Sequence, residues 1–469
     1  MIKSKTQKIS LFLLVLLVVS AIDSIRNLPS AAIFGPSLIF FFLFSAATFL
    51  VPVALVSAQL SSWVKGKGGV YHWIAEAFGD SAGMFGIWLQ WINTMVWYPT
   101  ILSFMAGTLA YLIQPELAEN KTYLILVILG IFWLLTLINL FGIRTSTKIN
   151  SFCALIGTII PMLLLICLGI LWWASGKTMQ ITFSYQTIVP TLSSLENWIS
   201  LTVIMASFLG VELAGVHAND IADPQKNFPK AMAYASVFLI ATMLLGALSI
   251  GIVVPVQEIN LVSGIMQVFS DFFAAFSIPA WTRMLAVLIL IGSFGSIINW
   301  LISPAKGLLH AAECGFLPRR FLRLNRYGVA QNILFLQAVI VSLLCAVFYL
   351  VPGVNAFYWF LTALSTDLYM VMYLLLFASA IRLYTKHRGK AYAFNIPGKQ
   401  VGIFIVSGLG IFSSLLTIFV GFFPPEHIAI GQGYYALLIL GGNLLFAAPA
   451  LLFCRYRKRQ KASVQKRSL

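Results

Sequence analysis

Residues 23–36 read Asp23-Ser-Ile-Arg26-Asn27-Leu-Pro29-Ser30-Ala31-Ala-Ile-Phe-Gly35-Pro36 and cut across an apolar run extending from residue 10 to 34. About 20 apolar residues cross a bilayer, so the run is long enough, yet it carries two charges and a proline near its middle. Pro29 removes a helical hydrogen bond and clashes with the preceding turn, and Gly35-Pro36 ends the run. A second interruption of the same kind lies in the apolar run 196–217, at Ser207-Phe208-Leu209-Gly210-Val-Glu212 and Gly215. Gly210 tolerates an unwound backbone there.

Working outward, the whole chain is built from such runs. It has 469 residues, 60% apolar and 9% charged, against about 45–50% and about 25% for soluble domains. This predicts an all-α polytopic membrane protein of about twelve spans, placed near 10–34, 37–60, 84–113, 122–141, 149–174, 196–217, 231–254, 281–309, 331–351, 354–383, 401–423 and 432–454. The runs are too long and too uniformly apolar for barrel strands. Lys3, Lys5 and Lys8 before the first run imitate a signal peptide, but Asp23-Ser-Ile-Arg26 stands where a small-residue cleavage site would be, so the run is read as an uncleaved span.

The formal charge of +16 is largely topological. With the N-terminus inside, 25 of the 30 Lys and Arg residues fall on the inner side and 3 (Lys121, Lys177, Arg283) on the outer. Arg26 and Lys306 remain within spans. That asymmetry predicts cytoplasmic termini and leaves no need for a nucleic-acid partner. The five scattered cysteines imply neither a disulfide framework nor a zinc site.

The two interrupted runs are the first and the sixth, five spans apart. An odd number of spans per repeat inverts the second copy, which predicts a five-plus-five inverted repeat (1–175 and 196–384), two further spans (400–454) and a basic tail (455–469). Paired broken helices in inverted repeats point to a transport site near the midplane, where half-helix N-termini offer free amides to an anionic group. Two incidental kinks are the bland alternative. Charges within spans are costly and normally face the bundle interior or water. Asp23 and Arg26, three apart, would share a helical face and either neutralise each other or serve the site. Glu212 would have its charged form disfavoured by apolar surroundings, and Asp367 either bonds neighbouring helices or takes part in gating. His217, just after span six, is either a structural interfacial residue or a candidate for proton coupling. Gly66-Lys67-Gly68-Gly69 follows no strand and lacks a Gly-Lys-Ser/Thr ending, so it predicts no phosphate loop.

These residues resemble the amino acid–polyamine–organocation superfamily, and within it the bacterial glutamate/γ-aminobutyrate antiporters of acid resistance. The likeness covers essentially the whole chain. It is carried by Ile25-Arg-Asn-Leu-Pro-Ser30, Gly68-Gly-Val-Tyr71 with Glu76-Ala-Phe-Gly79, Trp88-Leu-Gln-Trp91, Trp97-Tyr98-Pro-Thr100, Gly210-Val-Glu212, Asn227-Phe-Pro-Lys230, and Trp300 with Ser303-Pro-Ala-Lys306-Gly307. The resemblance implies alternating access around a site at broken spans one and six, closed by spans three, eight and ten. Carried over by motif, Asn27 to Ala31 (with Pro29 and Ser30) would hold the substrate carboxylate through backbone amides. Phe208, Leu209 and Gly210 would line the break in span six, Tyr98 and Trp97 would contribute from span three, and Trp300 would gate from span eight. Glu212 falls where relatives have a gating or proton-sensitive glutamate. Two departures stand out: Arg-Asn-Leu-Pro-Ser replaces a Gly-Ser-Gly type break, and only about fifteen residues follow Cys454, too few for the plug that related antiporters carry.

The resulting expectation is a secondary transporter of the bacterial inner membrane, not an enzyme, with no cofactor. It would exchange glutamate or a related amino acid for γ-aminobutyrate or another amino acid, with proton-coupled uptake of amino acids or polyamines as the alternative. The basic tail would meet anionic lipid; the sequence leaves the oligomeric state open. Arg26, Lys306 and the proton candidates Glu212, His217 and Asp367 are the ionisable residues assigned to the site. A Ser303/Lys306 hydrolase dyad is argued against by Pro304 and the lack of an oxyanion loop, and a channel by the lack of a repeated pore signature.

Overall fold

The computed structural model describes residues 10–64, 69–142, 152–153, 155–212, 223–388, 392 and 394–467, and no strand occurs among them. The side chains at 296, 298–300, 302–304 and 460–467, with a few others, lie outside that description. The first span is two pieces. Helix α1 (Leu11–Ile22) begins at Ser10, whose hydroxyl accepts from the Leu13 amide, and stops at Asp23 and Ser24, both extended. A single 3-10 turn (Ile25–Asn27) follows, then α2 (Leu28–Ala32). Pro29 sits in the first turn of α2, where its missing N–H costs nothing. The chain kinks again at Gly35-Pro36 and enters the long helix α3 (Gly35–Trp63).

Then come α4 (Val70–Phe78), α5 (Asp80–Ile113), α6 (Lys121–Leu140) and α7 (Leu155–Ala174). The second interrupted span begins as α8 (Leu195–Phe208) and leaves helical geometry at Leu209 (ψ 138°) and Gly210. Gly210 has φ +95°, a region that a side chain strains. After it come α9 (Pro224–Gly251), α10 (Gly264–Ala275), α11 (Trp281–Glu313), α12 (Gln331–Tyr349), α13 (Val354–His387), α14 (Lys399–Gly421) and α15 (Gln432–Arg467). Among the described residues nine of these helices are long and apolar enough to cross a membrane; the broken pieces of spans one and six and the partly described α11 fall outside that count. Apolar residues recur at helical spacing on the exposed face of α14 (Ile405, Phe412, Leu415, Phe419), as lipid contact requires.

Two short amphipathic helices were not anticipated. α4 lies between spans two and three and α10 between spans seven and eight, equivalent places in the two halves. Each buries one face, Val70, Ile74 and Ala77 in α4 and Ile265, Phe269 and Phe272 in α10. The ends of the spans sort into two faces. Lys121, opening α6, donates to the carbonyls of Phe348 and Val351 (3.1 and 2.7 Å) beyond α12. Elsewhere Lys386 pairs with Glu76, and Arg457 with Asp80 at 2.8 Å. Spans five and eight meet without side chains between them: a Cβ added at Gly292 would overlap Gly157.

The basic tail is helical from its start. Helix α15 runs on to Arg467, and Arg457 is held against the protein by Asp80 and by the face of Phe316, 4.2 Å from its guanidinium. At its first turns, therefore, the tail is tied to protein groups.

Candidate functional site

A cavity of about 200 Å³ lies where the two interruptions meet. It is small beside the roughly 300–1,000 Å³ of drug-sized ligand pockets, which restricts it to small molecules. Span one contributes residues 23–27, α5 the face bearing Gln90, Asn93, Thr94 and Trp97, and α8 with its break Ser207, Leu209 and Gly210. Gly157 and Thr158, in a π-helical turn of α7, and Ser293 and Gly307 of α11 close it, with Tyr369 of α13. The breaks are joined directly, since the Asn27 amide donates to the Ser207 hydroxyl at 3.2 Å. Tyr358 of α13 donates to the Arg26 carbonyl at 3.2 Å, so the irregular backbone is satisfied from a neighbouring helix.

Glu212 sits beside the break in span six, 1% exposed. Tyr369 and Gln90 donate to its Oε1 (2.6 and 3.0 Å) and Tyr373 to its Oε2 (2.5 Å). The same Tyr373 hydroxyl accepts from the Gly210 amide at 3.1 Å, so the carboxyl and the unwound backbone share one partner. Three donors aimed at one carboxyl suit the ionised, acceptor-only form. A proton placed on Glu212 would need an acceptor, and a tyrosine or Gln90 would have to turn to supply it.

The arrangement matches known proteins. The sequence profile of the amino acid permease family fits residues 9–444. The chain belongs to that family. This permease is 39% identical to an uncharacterised transporter of Legionella pneumophila, over 97% of this chain and 98% of that one. It is 29% identical to a glutamate/γ-aminobutyrate antiporter of Lactococcus lactis, over 98% and 93%. Its fold is that of MhsT, solved in complex with L-phenylalanine, with a TM-score of 0.58 at 11% identity over 87% of this chain and 98% of that one. The chain is thus a multi-pass membrane transporter and not an enzyme, with broken first and sixth spans.

Of the residues expected at the site in this permease, Arg26, Asn27, Leu209 and Gly210 line the cavity. Pro29, Ser30 and Ala31 are buried behind it; the Ser30 hydroxyl donates to the Asn27 carbonyl at 2.9 Å and so braces the turn. Phe208 points away, its ring against Phe42. Tyr98 is also turned away, packed on Phe132 with ring centres 4.9 Å apart, while Trp97, named with it from span three, lines the cavity. Asp367 is fully buried outside the cavity, where Asn443 of α15 donates to it at 3.2 Å. It therefore bonds neighbouring helices. Lys306 is exposed, and Gly307 beside it faces the cavity instead. His217 and the side chains of Trp300 and Ser303 lie outside the described residues.

The expected pairing of Asp23 with Arg26 does not form. Both line the cavity, but Asp23 and Ser24 are extended, which abolishes the helical three-residue relation. The Thr242 hydroxyl donates to Asp23 at 3.4 Å, while Arg26 donates to the Thr100 hydroxyl at 2.9 Å and lies over the Trp97 ring at 4.5 Å. Gln90, Tyr369 and Tyr373 were missed as site residues. Their signal was polar groups at helical spacing along one face of an otherwise apolar span.

Proposed function

We propose that this permease is an amino acid antiporter of the bacterial inner membrane, exchanging glutamate or a related amino acid for γ-aminobutyrate or another amino acid by alternating access. The observation that carries the reading is the small cavity bounded by the two broken spans and joined through Gln90 and Tyr369 to a buried carboxyl. The 29% identity to an antiporter with those substrates supports the choice. On this reading residues 1–175 and 196–384 are the two halves that rock about the cavity, both termini are cytoplasmic, and Arg457 braces α5 while the other basic residues of the tail meet anionic lipid.

Exchange requires the loaded carrier to reorient faster than the empty one. A ligand achieves this only through different affinity for the two states. The Asn27–Ser207 bond and the Tyr373–Gly210 bond are the contacts that a ligand seated between the breaks would strain or replace. Glu212 would hold the proton that accompanies the change, since its three donors must rearrange when it is protonated. The test is counterflow into proteoliposomes loaded with glutamate, glutamine or γ-aminobutyrate. Labelled uptake stimulated by internal amino acid is expected; equal uptake into empty and loaded vesicles would refute exchange and favour proton-coupled uptake.

A further inference from the structure

The cavity wall holds two ionisable side chains of opposite sign that leave each other alone. Arg26 is 6% exposed and forms no ion pair among the described residues. Its guanidinium face is covered by Trp97, which leaves the in-plane donors for partners, and only the neutral Thr100 hydroxyl is among them. Its Nε is buried with no acceptor. A buried guanidinium without a counter-charge is unfavourable, and its planar fork fits a carboxylate. Asp23 mirrors this. Its Oδ1 is buried with no donor, and its Oδ2 has the Thr242 hydroxyl. It caps the C-terminal end of the twelve-residue α1, where the helix dipole is itself negative. A carboxylate at that end is repelled by its own helix unless a cation sits there.

We propose that the cavity is a two-pole receptor for a zwitterion, in which Arg26 takes the carboxylate of the substrate and Asp23 its ammonium group. This rests on the exchange reading and narrows it: amino acids fit, whereas diamines meet an uncompensated Arg26. It also replaces the backbone-amide cradle that the family resemblance implies, because α2 has only five residues and one of its first turn is a proline.

The experiment uses purified full-length protein and three probes on one four-carbon chain: γ-aminobutyrate with both charges, 4-aminobutanamide with the ammonium only, and butyrate with the carboxylate only. Wild type is expected to prefer γ-aminobutyrate over each single-charge probe by about ten- to a hundredfold, the range for hydrogen bonds to charged groups. Arg26→Gln should lose the preference over 4-aminobutanamide while still binding that amide. Asp23→Asn should lose the preference over butyrate while still binding butyrate. Arg26→Lys and Asp23→Glu keep the charges and should keep the preferences, and they decide the matter if a neutral variant does not fold. A preference that survives neutralisation of its pole, or that vanishes in the charge-preserving variant, overturns the assignment. Wild type that binds none of the probes would instead count against the exchange reading itself.

Discussion

Replacing Tyr373 by phenylalanine isolates the connection between Glu212 and the break in span six. The hydroxyl makes two bonds: it donates to Glu212 Oε2 at 2.5 Å and accepts from the Gly210 amide at 3.1 Å. A hydrogen bond to a charged group contributes about 1.5–3 kcal/mol, and an interhelical bond within a membrane protein about 0.6 kcal/mol on average. Tyr373→Phe should therefore loosen the break by about 2–4 kcal/mol, which corresponds to a roughly 30- to 1,000-fold rise in local opening at about 1.4 kcal/mol per factor of ten. Tyr369→Phe is the matched control. Its hydroxyl serves Glu212 Oε1, which keeps Gln90 as a donor, and no bond from it to the Gly210 amide occurs. Hydrogen exchange of peptides covering residues 205–212, measured in detergent or nanodiscs, reads this opening at the backbone. Exchange should rise by about 30-fold or more in Tyr373→Phe and by a smaller factor in Tyr369→Phe, which loses a bond to Glu212 but none to the break, at about 1.4 kcal/mol per factor of ten. Equal acceleration in the two variants, or none in Tyr373→Phe, would show that the tyrosine does not hold the break.

Other substitutions probe the site and its frame. Glu212→Gln should flatten the pH dependence of counterflow while substrate still binds; an unchanged profile would remove Glu212 from the proton step. Trp97→Ala strips the surface on which Arg26 lies, worth about 0.5–2 kcal/mol, and should weaken substrate binding by about 2- to 30-fold at 1.4 kcal/mol per decade. Tyr98→Phe, one residue on and facing α6, should stay within twofold by isothermal titration; the reverse order would misplace the α5 face. Gly292→Val drives a side chain into Gly157, and size-exclusion chromatography should show aggregated or absent protein, whereas Gly130→Val, in open space, should elute normally.

Much of the architecture was legible because the bilayer imposes simple rules on sequence. Twenty-residue apolar runs located the spans, and Pro29 and Gly210 marked two breaks within them. The two amphipathic helices α4 and α10 escaped because a search for long apolar runs treats nine to twelve mixed residues as loop. Of Trp97 and Tyr98, helical phase puts the tryptophan on the cavity face. Gln90, Thr94 and Trp97 fall on one stripe of α5, and residue 98 is rotated away by about 100°, one residue of a 3.6-residue turn. The polar stripe itself was readable, but the partner it serves was not: Glu212 and Tyr373 are 161 residues apart, and nothing local announces their bond. The failed Asp23–Arg26 pair has the opposite origin, a helical rule applied to a stretch whose backbone had already left the helix.

That failure bears on how the cavity and Glu212, the proposed proton carrier, would communicate. Coupling between two sites requires an element whose arrangement both can bias. In this permease the element need not be long, because Gln90 and Tyr369 line the cavity and donate to Glu212 at the same time. A substrate oxygen seated between the breaks competes with Glu212 for these donors. Each donor it captured would leave the Glu212 carboxyl with one hydrogen bond fewer. Protonation in turn releases Tyr373 from its role as donor, and the Gly210 amide it accepts from is part of the break that must move. Had Arg26 been neutralised by Asp23, an anionic ligand would have found little reason to enter. On the two-pole reading the unpaired charges would draw the ligand to the break, and the shared donors would pass its arrival on to Glu212.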